Sequence, residues 1–440
     1  MSKPEDPPRP HLLYIVWGFP PSRGGGVYRA LATANEAVRA GFRVTVLTAE
    51  EQVFRRYTGS DEGLLELLDP AVRVRRIPFR WPVREVPVTG DGSFRDTLRR
   101  VRRKAIALWG RVPFPETNYG HWRRPLTQAA LTIHAEDPVD LVVATANPNV
   151  TFAAAHTLAQ HAKIPSVLDH RDAWLLDVFS GATVKPSRSR EARWERRMVS
   201  DATELWFVNE PIRDWHRQRY PQSAPKMHVV PNGWDGEAVG HVTPPRPPDH
   251  SPTFGYLGTI SAKVPIAQLA QGWELAQRSL PDGSRLVLAG HAGYFSAPDP
   301  RVTSALDHAA ALGIEIRGPV PKRAVSSFYD EIDILVLALG DGRYVTSGKV
   351  YEYIATGRPI VAVFSPTSAA TAVLAGYPGA VQSVSTEPDD IADALADAVR
   401  AWRDTDATDL AERRLVAHRF RRDQVLAPAL RRLRDALPDN

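Results

Sequence analysis

The sequence predicts an α/β protein of two doubly wound domains, and three observations carry that expectation. Short apolar runs alternate with amphipathic stretches along nearly the whole chain. The rhythm breaks once, at Gly236 to Pro252, where Pro244, Pro245, Pro247, Pro248 and Pro252 crowd into one polar stretch; that is a linker composition. With 440 residues there is room for two domains of ordinary size, each with its own core.

The first half opens with an apolar strand, Leu12 to Trp17, and the loop Pro20-Pro21-Ser22-Arg23-Gly24-Gly25-Gly26. A helical pattern from Val27 to Ala40, closed by Gly41, leads to a second strand, Arg43 to Thr48. Strand, loop, helix and strand in about 40 residues make a βαβ unit, which implies a parallel sheet buried on both faces. Further runs at Leu141 to Ala144, Ser166 to Leu168 and Leu205 to Val208 continue the sheet, with a helix at Thr151 to Ala162. After the linker the strands restart at Thr253 to Leu257, Leu286 to Ala289, Ile314 to Arg317, Ile334 to Ala338 and Ile360 to Val363. Helices fall at Ile266 to Ser279 and Lys322 to Glu331, and Asp409 to Leu437 reads as one arginine-rich helix. The expected boundaries are a first domain over 1–240, a linker over 241–252, a second domain over 253–410, and a terminal helix over 411–440 that packs back toward the first domain.

Composition excludes several chemistries. The absence of cysteine rules out disulfides, thiol nucleophiles and thiolate metal sites. No apolar run approaches the roughly 18 residues of a membrane span, and Met1 to Pro10 is polar and proline-rich, so a cytoplasmic protein is expected. The net charge of +5 is modest but uneven. Arg73 to Arg124 is dense in arginine, with only Glu85, Asp91, Asp96 and Glu116 against it, and carries Trp81, Trp109, Phe114, Tyr119 and Trp122. Arginine interleaved with aromatic residues suits peripheral contact with anionic lipid on the cytoplasmic face; solvated arginines on ordinary helices are the alternative. No nucleic-acid-binding module is recognisable.

The densest chemical signal is Ser347-Gly348-Lys349-Val350-Tyr351-Glu352-Tyr353. A glycine-bearing turn opens a short helix that ends at Gly357, so backbone N–H groups, the helix dipole and the Lys349 charge converge on an anion. Glu352, one turn on, is placed to accept from a diol such as a ribose; an ordinary strand–turn–helix is the alternative. The Gly24-Gly25-Gly26 loop lets backbone approach a phosphate or sugar closely. A dinucleotide site with Glu50 or Glu51 on the ribose competes with that reading, although the spacing is not G-x-G-x-x-G. Asp169-His170-Arg171-Asp172 sits at a strand end, where ligands bind in parallel sheets; an Arg–Asp network capping the strand is the alternative. Asn147, after the strand Leu141 to Ala144, lies where a sugar hydroxyl is held. Lys263 follows the glycine-bearing strand end Gly255-Tyr256-Leu257-Gly258.

In order, these segments resemble the family-four (glycosyl transferases group one) GT-B glycosyltransferases. The match runs through the glycine loop, D-x-R-D-x-W (Asp169 to Trp174), P-N-G-x-D (Pro231 to Asp235), Gly258 with Lys263, Gly318-x-Val320, and S-x-K-x-x-E-Y (Ser347 to Tyr353). The resemblance implies two Rossmann-like domains facing a central cleft, with the acceptor side in the first and the nucleotide-sugar site in the second. It implies a retaining, metal-independent hexosyl or related transferase of bacterial type, with a nucleotide-diphosphate sugar as co-substrate, no cofactor and an unidentified hydroxyl acceptor. Glu352 then matches the ribose glutamate. Ser347, Gly348, Lys349 and Val350 match the diphosphate turn, and Lys263 the lysine that neutralises the diphosphate. Gly318 and Val320 match the edge facing the base, and Gly25 and Gly26 the loop over donor and acceptor. Asp169, His170 and Asp172 are candidates for orienting the acceptor or polarising its hydroxyl, with Asn147 and Arg171 as further acceptor contacts. Two positions depart from the pattern: Tyr344 stands where many relatives have a glutamate, and Thr259 where many have an arginine. Asp341, Arg343 or the backbone of 340–342 are the expected stand-ins. A sugar-nucleotide epimerase of the same fold, or a binding protein without turnover, are the alternatives to transfer.

Overall fold

The computed structural model describes residues 9–81, 114–236, 249–293, 299–321, 324–340 and 342–438. By packing these fall into two units. The first takes Met1–Asp177, Ala182–Val230 and Leu426–Asn440, and the second Val178–Gly181 with Pro231–Val425.

The first unit is built on seven strands: β1 His11–Ile15, β2 Arg43–Ala49, β3 Arg73–Ile77, β4 Leu141–Ala146, β5 Ser166–His170, β6 Glu204–Phe207 and β7 Met227–Val229. They pair in the order β3-β2-β1-β4-β5-β6-β7, every pair parallel. All of β1, β4 and β5 is buried, as expected of central strands with helices on both faces. The second unit carries β8 Thr253–Leu257, β9 Arg285–Ala289, β10 Glu315–Arg317, β11 Ile334–Ala338, β12 Ile360–Val363 and β13 Ala380–Gln382. Their order is β10-β9-β8-β11-β12-β13, again parallel throughout. Both sheets are therefore Rossmann-like, and each reverses its strand order once. The reversals lie between β1 and β4 and between β8 and β11. A crevice opens beyond the carboxyl ends of the strands at such a reversal, because the crossovers on its two sides leave toward opposite faces.

Several elements depart from the sequence reading. β3, Arg73-Val74-Arg75-Arg76-Ile77, hides in the basic block because it is an edge strand with mostly polar side chains. Its arginines are paired: Arg73 lies 3.5 Å from Asp137, Arg75 3.3 Å from Glu136 and Arg76 3.1 Å from Glu51. Trp122 is 1% exposed and donates to the Pro78 carbonyl, Phe114 is fully buried, and Trp81 and Tyr119 pack with Trp17 and Phe79. In the described part of the block Phe114 and Trp122 are thus buried, and Trp81 and Tyr119 half-buried, each against other aromatic rings. Residues 82–113, with Arg84, Arg95 and Trp109, lie outside the described residues, as do 237–248 of the linker. No helix among the described residues is long and apolar enough to cross a membrane.

The single C-terminal helix of the sequence reading is two helices, Ala407–Arg419 and Arg422–Asp435. The break has a cause. The Phe420 carbonyl accepts from Trp234 N–H, Arg422 N–H donates to the Trp234 carbonyl, and Arg422 reaches Asp235 at 2.6 Å. The P-N-G-x-D segment is thus a clasp on the chain at 420–422, with Gly233 packed against the Phe420 carbonyl. Further on, Arg432 grips Glu204 with two hydrogen bonds of 3.0 and 2.9 Å.

Candidate functional site

At the reversal in the first sheet, the loop after β1 ends at Gly26, and helix Val27–Arg39 begins there. A Cβ on Gly26 would fall 1.4 Å from Arg171 Nη1. The Arg171 guanidinium thus occupies the space a side chain at position 26 would take, and any larger residue there would displace it. Arg171 is fixed from the other side by a 2.7 Å bond from Nε to the Ala146 carbonyl at the end of β4. Gly25 is exposed with open space around it. Asn147 is exposed on the loop after β4 and donates from Nδ2 to Asp172 Oδ2 at 3.1 Å, and Asp172 is itself exposed. Gly26, Arg171, Asn147 and Asp172 are thus brought together on one open rim.

Asp169 and His170 are not on it, which corrects the expectation that they handle an acceptor. Both belong to β5, and each is 1% exposed. Asp169 accepts from Arg29 Nε at 2.8 Å, Arg29 Nη2 at 2.7 Å and Thr145 Oγ1 at 2.7 Å. This is a bidentate buried pair that ties helix Val27–Arg39 to the sheet. The His170 ring lies between Phe152 at 4.7 Å and Phe207 at 4.9 Å, and its ring nitrogens have no hydrogen-bond partner. Burial holds its pKa well below the ordinary histidine value, so it stays neutral. Arg29 had a legible signal. With Thr33 and Glu36 it forms a buried polar stripe at i, i+4 and i+7 beside the apolar face of its helix.

At the reversal in the second sheet, the loop after β8 is held at contact distance on two sides. A Cβ on Gly258 would meet Tyr256 Oη at 2.9 Å and Lys349 Cε at 3.4 Å, and one on Gly290 would fall 1.7 Å from the Gly258 carbonyl. Gly290 adopts a φ of +141°, so glycine is required there for conformation as well as space. Gly340, after β11, packs against the backbone of Lys263. The exposed Lys263 carries its ammonium over the Phe179 ring, 3.0 Å from the centroid.

Helix Gly348–Ala355 begins beside this loop. Ser347 is its N-cap and accepts from Lys349 N–H at 3.2 Å. Lys349 Nζ donates to Glu352 Oε2 at 3.1 Å, and Tyr329 Oη donates to the same oxygen at 3.3 Å. Lys349 and Glu352 are each 29% exposed, so neither side chain is closed off from solvent. Val350 is fully buried and anchors the helix in the core. The structure thus joins Gly258, Ser347, Gly348, Lys349 and Glu352 in one cluster. Tyr329 completes it, a residue the sequence reading passed over; burial and Glu352 hold its phenol well above the ordinary tyrosine value.

Gly318 follows the edge strand β10 and is exposed; its carbonyl accepts from Gly290 N–H at 3.1 Å, and Val320 packs partly against the core. Among the expected stand-ins, Asp341 lies outside the described residues. Arg343 is exposed, Tyr344 is half-buried against Gly181, and Gly342 is buried against the Val178 carbonyl.

Residues 24–233 match the family model of the glycosyl transferase 4-like domain, and residues 251–404 match that of glycosyl transferases group 1. No curated protein matches the sequence. Among solved structures, a glycosyltransferase from Rickettsia africae is 12% identical with a TM-score of 0.65, covering 97% of this chain and 98% of its own. HepE from Anabaena, solved with UDP and glucose, is 14% identical with a TM-score of 0.59 over 97% of this chain and 99% of its own. A UDP-forming trehalose-phosphate synthase from Burkholderia xenovorans is 14% identical with a TM-score of 0.60 over 97% of each chain. At such identities the likeness is one of fold.

Proposed function

We propose that this chain, whose residues 24–233 match a glycosyl transferase 4-like domain and 251–404 a glycosyl transferases group 1 domain on a GT-B-like fold, is a glycosyltransferase that moves a hexosyl or related sugar from a nucleoside-diphosphate sugar to an acceptor hydroxyl with retention and without a metal ion. The observation that carries this reading is the cluster of Ser347, Lys349 and Glu352 at the start of one helix, against Gly258 at the reversal of the second sheet.

Breaking the glycosidic bond places growing negative charge on the diphosphate. Lys349, the N–H groups of helix Gly348–Ala355 and Lys263 supply positive charge and donors where that charge develops. Glu352 accepts from the ribose hydroxyls, with Lys349 and Tyr329 holding its carboxylate in place. Gly318 and Val320 face the base. With retention, the leaving phosphate oxygen lies on the face the acceptor attacks and takes the acceptor proton, so no carboxylate base is needed. Asp172, steadied by Asn147 and flanked by Arg171 and Gly26, orients the acceptor hydroxyl. Since HepE is solved with UDP and with UDP-glucose, UDP-sugars are the first donors to test.

Calorimetry with UDP-, GDP- and dTDP-sugars, followed by incubation of the best donor with a panel of hydroxyl acceptors, tests the reading. Transfer that survives EDTA supports it. Donor isomerised without an acceptor identifies an epimerase, and binding with neither outcome identifies a binding protein.

A further inference from the structure

Glu116 belongs to no motif, yet it occupies the centre of the polar structure behind the acceptor-side rim. Its Oε1 accepts from Asn149 N–H at 2.7 Å and Asn149 Nδ2 at 3.1 Å, and its Oε2 accepts from Val150 N–H at 2.8 Å. Asn149, 2% exposed, donates from the same Nδ2 to Asn147 Oδ1 at 3.2 Å. Asn147 in turn donates from Nδ2 to Asp172 at 3.1 Å. A chain of two amides thus connects one carboxylate to another. The segment bearing Glu116 is anchored to the same region, since Phe114 stacks on Trp174 at 5.1 Å, two residues after Asp172.

We infer that Glu116 is a positioning residue that sets, through Asn149 and Asn147, the orientation of the Asp172 carboxylate. This rests on the reading of Asp172 as the group that faces the acceptor. The two ends of a primary amide have nearly the same shape, and hydrogen bonding decides which way it points. An ionised carboxylate only accepts, so Glu116 requires the Nδ2 end of Asn149. That leaves Asn149 to donate onward to Asn147 Oδ1, which turns Asn147 Nδ2 toward Asp172. The polarity of the chain therefore starts at Glu116. The same carboxylate holds two of the N–H groups left without partners at the start of helix Val150–Ala162. Burial pushes its pKa up to about 7, against the three hydrogen bonds that pull it down. A proton on Glu116 would compete with one of the three donors and loosen the chain at its origin. Of the titratable groups around it, Tyr119 lies on its own segment, and Asp172 and Arg171 lie at the far end of the chain.

The test is acceptor-independent. The sequence has seven asparagines, so protein labelled with 15N-asparagine gives few side-chain NH2 signals to follow. Over about pH 5.5 to 8.5 the Asn149 and Asn147 signals should shift together with one midpoint, reporting ionisation of Glu116. Glu116→Gln should abolish that shift at both residues, and Asp172→Asn should leave it in place at Asn149. An Asn147 signal that ignores the titration of Asn149 in the wild-type protein overturns the inference and leaves Glu116 as a helix cap alone. With a donor and acceptor that support transfer, Glu116→Gln should lower acceptor kcat/KM at least severalfold while donor KM stays within twofold. In the Asn147→Ala background it should add nothing; additive losses also overturn the inference. Unchanged transfer in Asp172→Asn would instead sink the acceptor reading, an outcome separate from the NMR coupling.

Discussion

Replacing Glu352 with alanine removes the proposed ribose contact, and its magnitude follows from the neighbours. A hydrogen bond to a charged group contributes about 1.5–3 kcal/mol. Two side effects bear on the net value. Lys349 loses a partner 3.1 Å away, but the pair is 29% exposed on both sides, so little is lost. The freed ammonium can then turn fully to the diphosphate, which offsets part of the loss. Tyr329 loses an acceptor for its buried hydroxyl, which affects stability rather than affinity. Donor affinity should therefore fall by about tenfold to a hundredfold. Calorimetry with UDP and with 2′,3′-dideoxy-UDP isolates the contact, because the second ligand lacks the hydroxyls. Wild type should prefer UDP strongly, and Glu352→Ala should bind both ligands almost equally. If the variant keeps the wild-type preference, or weakens both ligands alike, Glu352 does not hold the ribose.

Lys263→Ala and Lys349→Ala should each lower turnover by about tenfold to a thousandfold, as for loss of one donor to a developing oxyanion; wild-type turnover in Lys349→Ala would make the turn purely structural. Asp169→Ala should act on stability, costing about 3–5 kcal/mol because it leaves the Arg29 charge buried without its partner. Urea unfolding would show this, and a cost under about 1 kcal/mol would refute the anchoring role. Glu195, pushed up to about 7 by burial, favours the folded state below its unfolded value of 4.5 and loses that contribution as pH rises toward 7. His216, pulled down to about 4, contributes above 6.5 and loses its share as pH falls toward 4. Between about pH 4.5 and 6.5 the two slopes oppose. Glu195→Gln should therefore gain stability, relative to wild type, as pH rises from about 5 to 7, and urea midpoints that move in parallel would refute this.

The sequence alone determined the apolar stretches of the inner strands, such as Leu141 to Ala144 and Ile334 to Ala338, since such runs are covered on both faces. It missed β3, β7 and β13, which are short strands at the sheet edges where Met227 alone is fully buried. It determined the turn at Ser347 to Glu352, because a cap, a lysine and a glutamate one turn apart act within a single helix. What lies far apart in the chain was left to tertiary structure: Glu116 meets Asn149 across 33 residues and Arg29 meets Asp169 across 140. The run Asp169-His170-Arg171-Asp172 shows the division within four residues. As sequence these are four polar side chains at a strand end. Only the packing decides that the strand continues through His170, so that the first two side chains point into opposite buried faces, and that the backbone leaves the sheet at Arg171, which leaves Arg171 half-buried and Asp172 exposed. A side chain's polarity is written in its residue type, but its access to a ligand depends on what covers the strand, and the residues that cover it come from elsewhere in the chain.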